Sequence, residues 1–242
     1  MIALPTIQGT IKRRILANYR ADADIVRRLL PARFEPKLYK ERAIVGICLI
    51  RLEGIRPLHT PSFIGISSEN AAHRIAVTWT DDDGASREGV FIPRRDTNSA
   101  LSHLAGGRVF PGEHNLADFV VDDDGSNIDF AMSSADGDVA VSLKANSTDS
   151  LPPDSIFDSL AAASQYFEGS SLGYSVTHDS ARLDGIELNT KEWRVGPLNV
   201  SEISSSFYDD PKSFPDGSIR FDHALIMRNI AHEWHSHRPL TV

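Results

Sequence analysis

Cysteine is almost absent from this chain: Cys48 is the only one in 242 residues. An intramolecular disulfide is therefore excluded, which fits a reducing compartment. Long apolar runs are missing too. No window approaches the length of a membrane span, and the opening Met1 to Pro5 is too short for the apolar region of a secretory signal and has no positive charge before it. Basic charge is scarce, with 25 Lys and Arg against 33 Asp and Glu and a formal net charge of −8. Nonspecific nucleic-acid binding rests on clustered Lys and Arg that neutralise phosphates, so this balance argues against it. These absences lead to the expectation of a cytoplasmic chain with neither a membrane nor a nucleic-acid partner. Gly and Pro recur as punctuation, with no linker-like run and no internal repeat, and residues 1–242 read as a single domain.

What the sequence does contain is a succession of short strand-like segments. Ile11, Arg13, Ile15, Ala17 and Tyr19 fall in step, with Lys12, Arg14 and Asn18 on the other face, which is the period of a strand. In the next segment Ile25, Val26 and Leu29 share a helical face, with Asp22 placed to cap the first turn and Pro31 to end the helix. Strands are expected over 42–52, 64–68 and 74–80. Cys48, inside the continuous apolar run 43–50, reads as a packed core thiol. Asp83-Gly84, Asp124-Gly125, Asp136-Gly137 and Asp184-Gly185 separate strand-like segments and read as hairpin tips rather than calcium loops, since none has the EF-hand spacing. A short helix over 99–104 stops at Gly106-Gly107. A second begins at Pro152 and carries Ile156, Leu160, Ala163 and Phe167 at helical spacing. Strands are expected again over 172–177, 187–195 and 198–207, while the spacing of Ile226, Ile230 and Trp234 favours a terminal helix. Many short strands and few helices indicate a mainly β (α+β) fold, an antiparallel barrel or sandwich with a few short helices.

The stretch Ser86 to Ser99 concentrates the chemistry: Arg87-Glu88, four mostly apolar residues, Pro93, then Arg94-Arg95. Pro93 cannot donate to a sheet ladder, so it is expected to end the strand and leave both arginines at its mouth. This pattern resembles the acetoacetate decarboxylases, which carry Arg-Glu, four residues, then Pro-Lys-Lys, the first lysine forming a Schiff base with the keto acid. Two further segments are similar to the same family in the same order: Tyr19-Arg20-Ala-Asp22-Ala-Asp24 through Pro31, and Val200-Ser-Glu202-Ile203-Ser-Ser-Ser206. The resemblance implies an acetoacetate decarboxylase-like barrel. It places the family's active-site glutamate on Glu69 and its active-site arginine, by ungapped counting, on Lys12.

The chemistry does not transfer with the fold. A Schiff base needs a neutral amine, and guanidinium is not deprotonated in proteins. It instead grips a carboxylate through two parallel hydrogen bonds. The leading expectation is a barrel that binds a small organic acid or carbonyl compound without a cofactor. Arg94 would be the anion anchor and Glu69 the acid or base, with Arg95, Arg87, Glu88, Arg74 and Lys12 as substrate-binding residues. If it is an enzyme, a lyase or isomerase step through an enolate suits a cation beside a carboxylate. The alternative is a non-catalytic ligand-binding or structural barrel, in which Arg94 forms an internal salt bridge to Glu88 or Asp96. A third reading takes His232 and His235, joined by His237 or His223, as ligands of a metal-dependent enzyme. The expected metal content is nevertheless none, because the zincin spacing is not met. Ser204 to Ser206 lack a nucleophile elbow and read as small residues of a packed wall. A homo-oligomer is left open.

Overall fold

The computed structural model describes residues 5–105 and 112–242. Long strands dominate: β1 (Ile7–Asp22), β4 (Arg42–Pro57), β5 (Ile66–Thr80), β6 (Ser86–Thr97) and β13 (Ile219–Thr241). The shorter strands are β2 (Glu35–Pro36), β3 (Leu38–Tyr39), β7 (Asn115–Asp123), β8 (Asn127–Ser134), β9 (Ala140–Ser147), β10 (Leu172–Val176), β11 (Arg182–Thr190) and β12 (Gly196–Ser205). Three helices join them: α1 (Ala23–Leu29), α2 (Ala100–Ala105) and α3 (Leu160–Glu168).

The strands pair in the order β11-β10-β6-β7-β8-β9-β12-β13-β1-β4-β5-β2, and β11 also pairs with β13 and β5 with β6. The pairings thus close into two barrel-like rings that share the wall β13-β1-β4-β5-β6. One ring is completed by β7, β8, β9 and β12, the other by β10 and β11. Most pairings are antiparallel, as expected, but β6 runs parallel to both β10 and β7.

Because neighbouring residues of a strand face opposite ways, the shared wall feeds two cores. Ile15, Ile47, Ile75, Phe130, Leu143 and Leu198 pack together in the first ring. Leu16, Ile44, Ile50 and Met227 pack on the opposite face, against Tyr166 and Phe167 of α3. Truncating a fully buried residue such as Phe130 to Ala would cost about 3–5 kcal/mol.

Several expectations are corrected. The segments 64–68 and 74–80 are parts of one strand, so Glu69 lies within β5 instead of at a strand end. Asp184-Gly185 sits inside β11, where Gly185 packs under Tyr174 and beside His237. The other three Asp-Gly pairs do turn the chain, with φ of +79° at Gly84, +96° at Gly125 and +78° at Gly137. The second helix begins at Leu160, capped by Ser159, instead of at Pro152. Asp222 accepts from the Ile156 N–H (2.8 Å) and the Ser155 hydroxyl (2.7 Å), which commits those groups outside the helix. Asp22 does precede α1 but makes no side-chain cap, its carboxylate bonding Arg42 instead. The terminal segment is β13, not a helix: residues four apart share a face in a strand as well, and β1, β11 and β12 supply the pairing. The proposed stop at Gly106-Gly107 lies outside the described residues, as does most of the apolar opening segment. No helix among the described residues is long and apolar enough to cross a membrane.

Candidate functional site

On the face of the shared wall covered by β10, β11 and α3 lies a cavity of about 450 Å³. Its floor includes Cys48 and Ala72, paired in register, with Arg95 next in the same row, and Leu16 continues that row on β1 beneath the lining. Ile50, Ile92, Leu188, Trp193 and Trp234 furnish apolar wall. Arg14, Arg74 and Arg95 project into this enclosure, and among the described residues none of them pairs with a carboxylate.

What the three arginines do touch is weak by comparison. Arg14 donates to the Cys48 sulfur (Nε to Sγ, 3.4 Å) and faces the Met227 sulfur at 3.9 Å. Arg95 donates through Nε to the Ser175 hydroxyl at 2.8 Å. Arg74 donates to the Asn18 side-chain oxygen and lies 5.0 Å from the Phe167 ring, while its Nε has no partner. Burial pulls the Arg95 guanidinium down to about 10 and lowers Arg74 as well. A charge held in such surroundings is costly unless something pairs with it.

Arg74 is nevertheless firmly positioned. Asn18 gives its amide hydrogens to Leu16 O (3.0 Å) and His223 Nε2 (3.1 Å), which leaves its oxygen for Arg74. His223 then carries its proton on Nδ1, 2.7 Å from Asp222, and Asp222 also accepts from Arg20 at 2.9 Å. Gly46 makes room for this chain, since a Cβ there would run into the Ala17 carbonyl and the Asn18 side chain.

The residues singled out in the sequence fall into two groups. Arg95 and Arg74 line the cavity. Glu69 and Arg94 do not: both point to the opposite face of the wall, in separate ion pairs. Glu69 accepts from Arg13 at 2.7 Å, near Lys12 and Arg51 in a second, open cleft. Burial raises its pKa, against the pull of Arg13 and Arg51. Arg94 bonds Asp96 and Asp136, each at 2.8 Å, and these bonds raise its pKa despite burial. Arg87 pairs with Asp81 and Glu88 with Lys37 outside the cavity.

A bulge explains the exchange of Arg94 for Arg95. Pro93 does not end the strand; β6 continues to Thr97. Ile75 pairs with Phe91 and His73 with Arg94, so Ile92 and Pro93 together oppose Arg74 alone. Strict alternation from Val90 and Ile92 would send Arg94 into the cavity. The extra residue turns Arg95 there instead. A second bulge, between Ile11 and Arg13, moves Ile11 to the core behind the cavity and leaves Arg13 on the other face.

Arg14, Asn18, Cys48 and His114 are cavity residues or supports that sequence reasoning did not assign. Arg14 and Asn18 stand four apart on the polar face of β1, a detectable signal, whereas nothing local marks His114. His114 lines the cavity, and burial and then Arg95 lower its pKa to about 3. Cys48 is buried as expected, at 9% exposure, but it forms floor rather than solid core. Lys191 is the one lysine among the described lining residues, on the exposed rim. The tail histidines are separated by strand geometry: His232 is buried beside Trp234, His235 bonds Glu233, and His237 bonds Tyr174. Ser205 is buried against His73, and Ser206 accepts from the Ala140 N–H, consistent with wall positions.

Residues 9–211 match the DUF2071 family model, described as an uncharacterized conserved protein. The chain belongs to this family. No curated protein matches it in sequence. Among solved structures, this DUF2071 chain is similar to an acetoacetate decarboxylase-like enzyme from Sphingomonas wittichii RW1, with a TM-score of 0.58 at 10% identity over 100% of this chain and 94% of that one. It is also similar to the enduracididine biosynthesis enzyme MppR in complex with pyruvate (0.56, 14%, 100% and 91%). A third likeness is to acetoacetate decarboxylase from Legionella pneumophila subsp. pneumophila str. Philadelphia 1 (0.56, 12%, 98% and 88%). At these identities the likeness establishes the acetoacetate decarboxylase-like fold.

Proposed function

We propose that the arginine-lined cavity binds a small organic acid or carbonyl compound as its anion, with Arg95 as the anchor. The observation that carries this reading is the gathering of Arg14, Arg74 and Arg95 in one enclosure with no carboxylate partner among the described residues. A guanidinium already held by a carboxylate, as Arg94 is by Asp96, has little left to offer a ligand. The apolar wall would exclude water and strengthen each charge-assisted bond. The binding of pyruvate by MppR supports the same class of ligand for a cavity in this fold.

A catalytic extension is an enolate step without a Schiff base, in which the guanidiniums stabilise developing charge and His114 or Cys48 exchanges the proton. The non-catalytic alternative draws support from the two carboxylates at the lining: Asp96 is fully buried with Oδ1 held by Arg94, and Glu168 is exposed. The reducing cytoplasm fits the free Cys48 thiol beneath the ligand.

Calorimetric titration of pyruvate and acetoacetate tests the anchor. Arg95→Met is expected to weaken binding at least about tenfold, or ~1.4 kcal/mol, with the fold retained. Unchanged binding in that variant, with loss in Arg94→Met, would return the role to Arg94. Deuterium exchange at the α-carbon of bound pyruvate then separates enzyme from binding protein. Borohydride reduction with pyruvate should leave no adduct, and an adduct on Lys191 would overturn the route without an imine.

A further inference from the structure

We infer that the ligand carries two anionic groups, as a dicarboxylate or as a carboxylate with a phosphate, and that Arg14 reads the second group. The inference rests on the cavity being an anion site, and it goes further by naming the ligand's charge class.

The wall itself separates the cations. Leu16, Cys48, Ala72 and Arg95 form one row across β1, β4, β5 and β6. Arg14 stands two residues to one side of this row, opposite Ile50, and Arg74 stands two residues to the other side, opposite Gly46. At a strand rise near 3.3 Å, their stems are rooted about 13 Å apart along the strands, with the Cys48–Ala72 floor between them. One carboxylate fills one guanidinium fork in the two-bond arrangement, and three forks face this enclosure.

The three differ in how well the protein already satisfies them. Arg95 has a hydroxyl oxygen, and Arg74 has the Asn18 oxygen backed by His223 and Asp222. Among the described residues Arg14 has only two sulfur atoms, both poor acceptors for a guanidinium. It is therefore the cation with most to gain from a second anionic group. A monoanion seated on Arg95 leaves Arg14 facing thiol and thioether.

The experiment is a calorimetric comparison, at fixed ionic strength, of propionate and pyruvate with malonate, succinate and 2-phosphoglycolate. The expected result is that the best ligand with two anionic groups binds wild-type protein at least about tenfold more tightly than the matched monoanion. Arg14→Met should reduce that preference to about twofold by weakening the doubly anionic ligands far more than the monoanions, while Arg14→Lys, which keeps the charge, should retain part of it. Preference for 2-phosphoglycolate over both dicarboxylates would support the inference and assign the second charge to phosphate. Equal binding of mono- and dianions overturns the charge assignment while leaving the anion site standing. So does an Arg14→Met variant that weakens both classes alike. Failure of every anion to bind would overturn both readings. Circular dichroism of each variant, and the response of Arg14→Lys, separate a lost contact from a lost fold.

Discussion

Arg13 and Arg14 are neighbours on β1 and meet opposite fates, as do Arg94 and Arg95 on β6. On one face of the shared wall, Arg13 pairs with Glu69 and Asp123, and Arg94 with Asp96 and Asp136. On the other, Arg14 and Arg95 hydrogen-bond, among the described residues, to sulfur and hydroxyl groups only. Charges of the first kind are matched within the fold and serve its stability. Those of the second kind have no carboxylate partner among the described residues, and a half-buried cation of that kind is where a ligand anion would have most to contribute.

The sharpest way to break this contrast is to remove one arginine from each face. Arg13→Met would strand Glu69 and should lower stability in urea unfolding by about 3 kcal/mol, the low end for a broken buried pair because the carboxyl can take up a proton. Arg95→Met should instead raise the stability of the ligand-free protein, by about 1 kcal/mol, since it removes a desolvated charge whose described partner is a hydroxyl and not a carboxylate. A loss at Arg95 matching that at Arg13 would mean that both faces are structural.

Acid should also act on both faces, by a smaller step. Burial, and then Arg94, lower His73 to about 3 on the paired face; burial, and then Arg14, lower His232 to about 4 on the cavity face. A histidine with a depressed folded pKa contributes stability that is complete above its unfolded value and is lost as pH falls towards the folded one. Each should therefore cost about 2 kcal/mol by pH 5, measured as the difference between wild-type and His→Gln unfolding curves at pH 7.5 and pH 5. A saturating anion should reduce the loss assigned to His114, beside Arg95, and leave that of His73 unchanged.

The smallest expected effect concerns Cys48. Guanidiniums around the thiol should favour an anionic reagent, so the rate of alkylation by iodoacetate relative to iodoacetamide should exceed that of the urea-unfolded chain by at least about threefold. Arg14→Met should reduce the ratio, and a bound dicarboxylate should slow both reagents. No change in ratio would place the thiol outside the field of the arginines.

Much of the fold was legible in the sequence because its signals are local. Period-two segments such as Ile15 to Tyr19 identify strands wherever they pair, and aspartate followed by glycine turns the chain at Gly84, Gly125 and Gly137, where positive φ is needed. The three segments that resemble acetoacetate decarboxylases carried the architecture. Alternation along a strand lets one of Arg94 and Arg95 face the cavity. Which arginine it is does not follow from alternation, because a bulge is a property of two strands in register, and only pairing with β5 shows that Ile92 and Pro93 together oppose Arg74. The same holds for Asp184-Gly185, a turn by its composition and a strand once β10 and β13 flank it. It holds again for Ile226 to Trp234, whose spacing suits helix and strand equally until β1 supplies the hydrogen bonds. Strand character and turn chemistry are set by neighbours in sequence. Register, and with it the choice of which charges are matched and which are left unmatched, is set by residues brought together only in the folded chain.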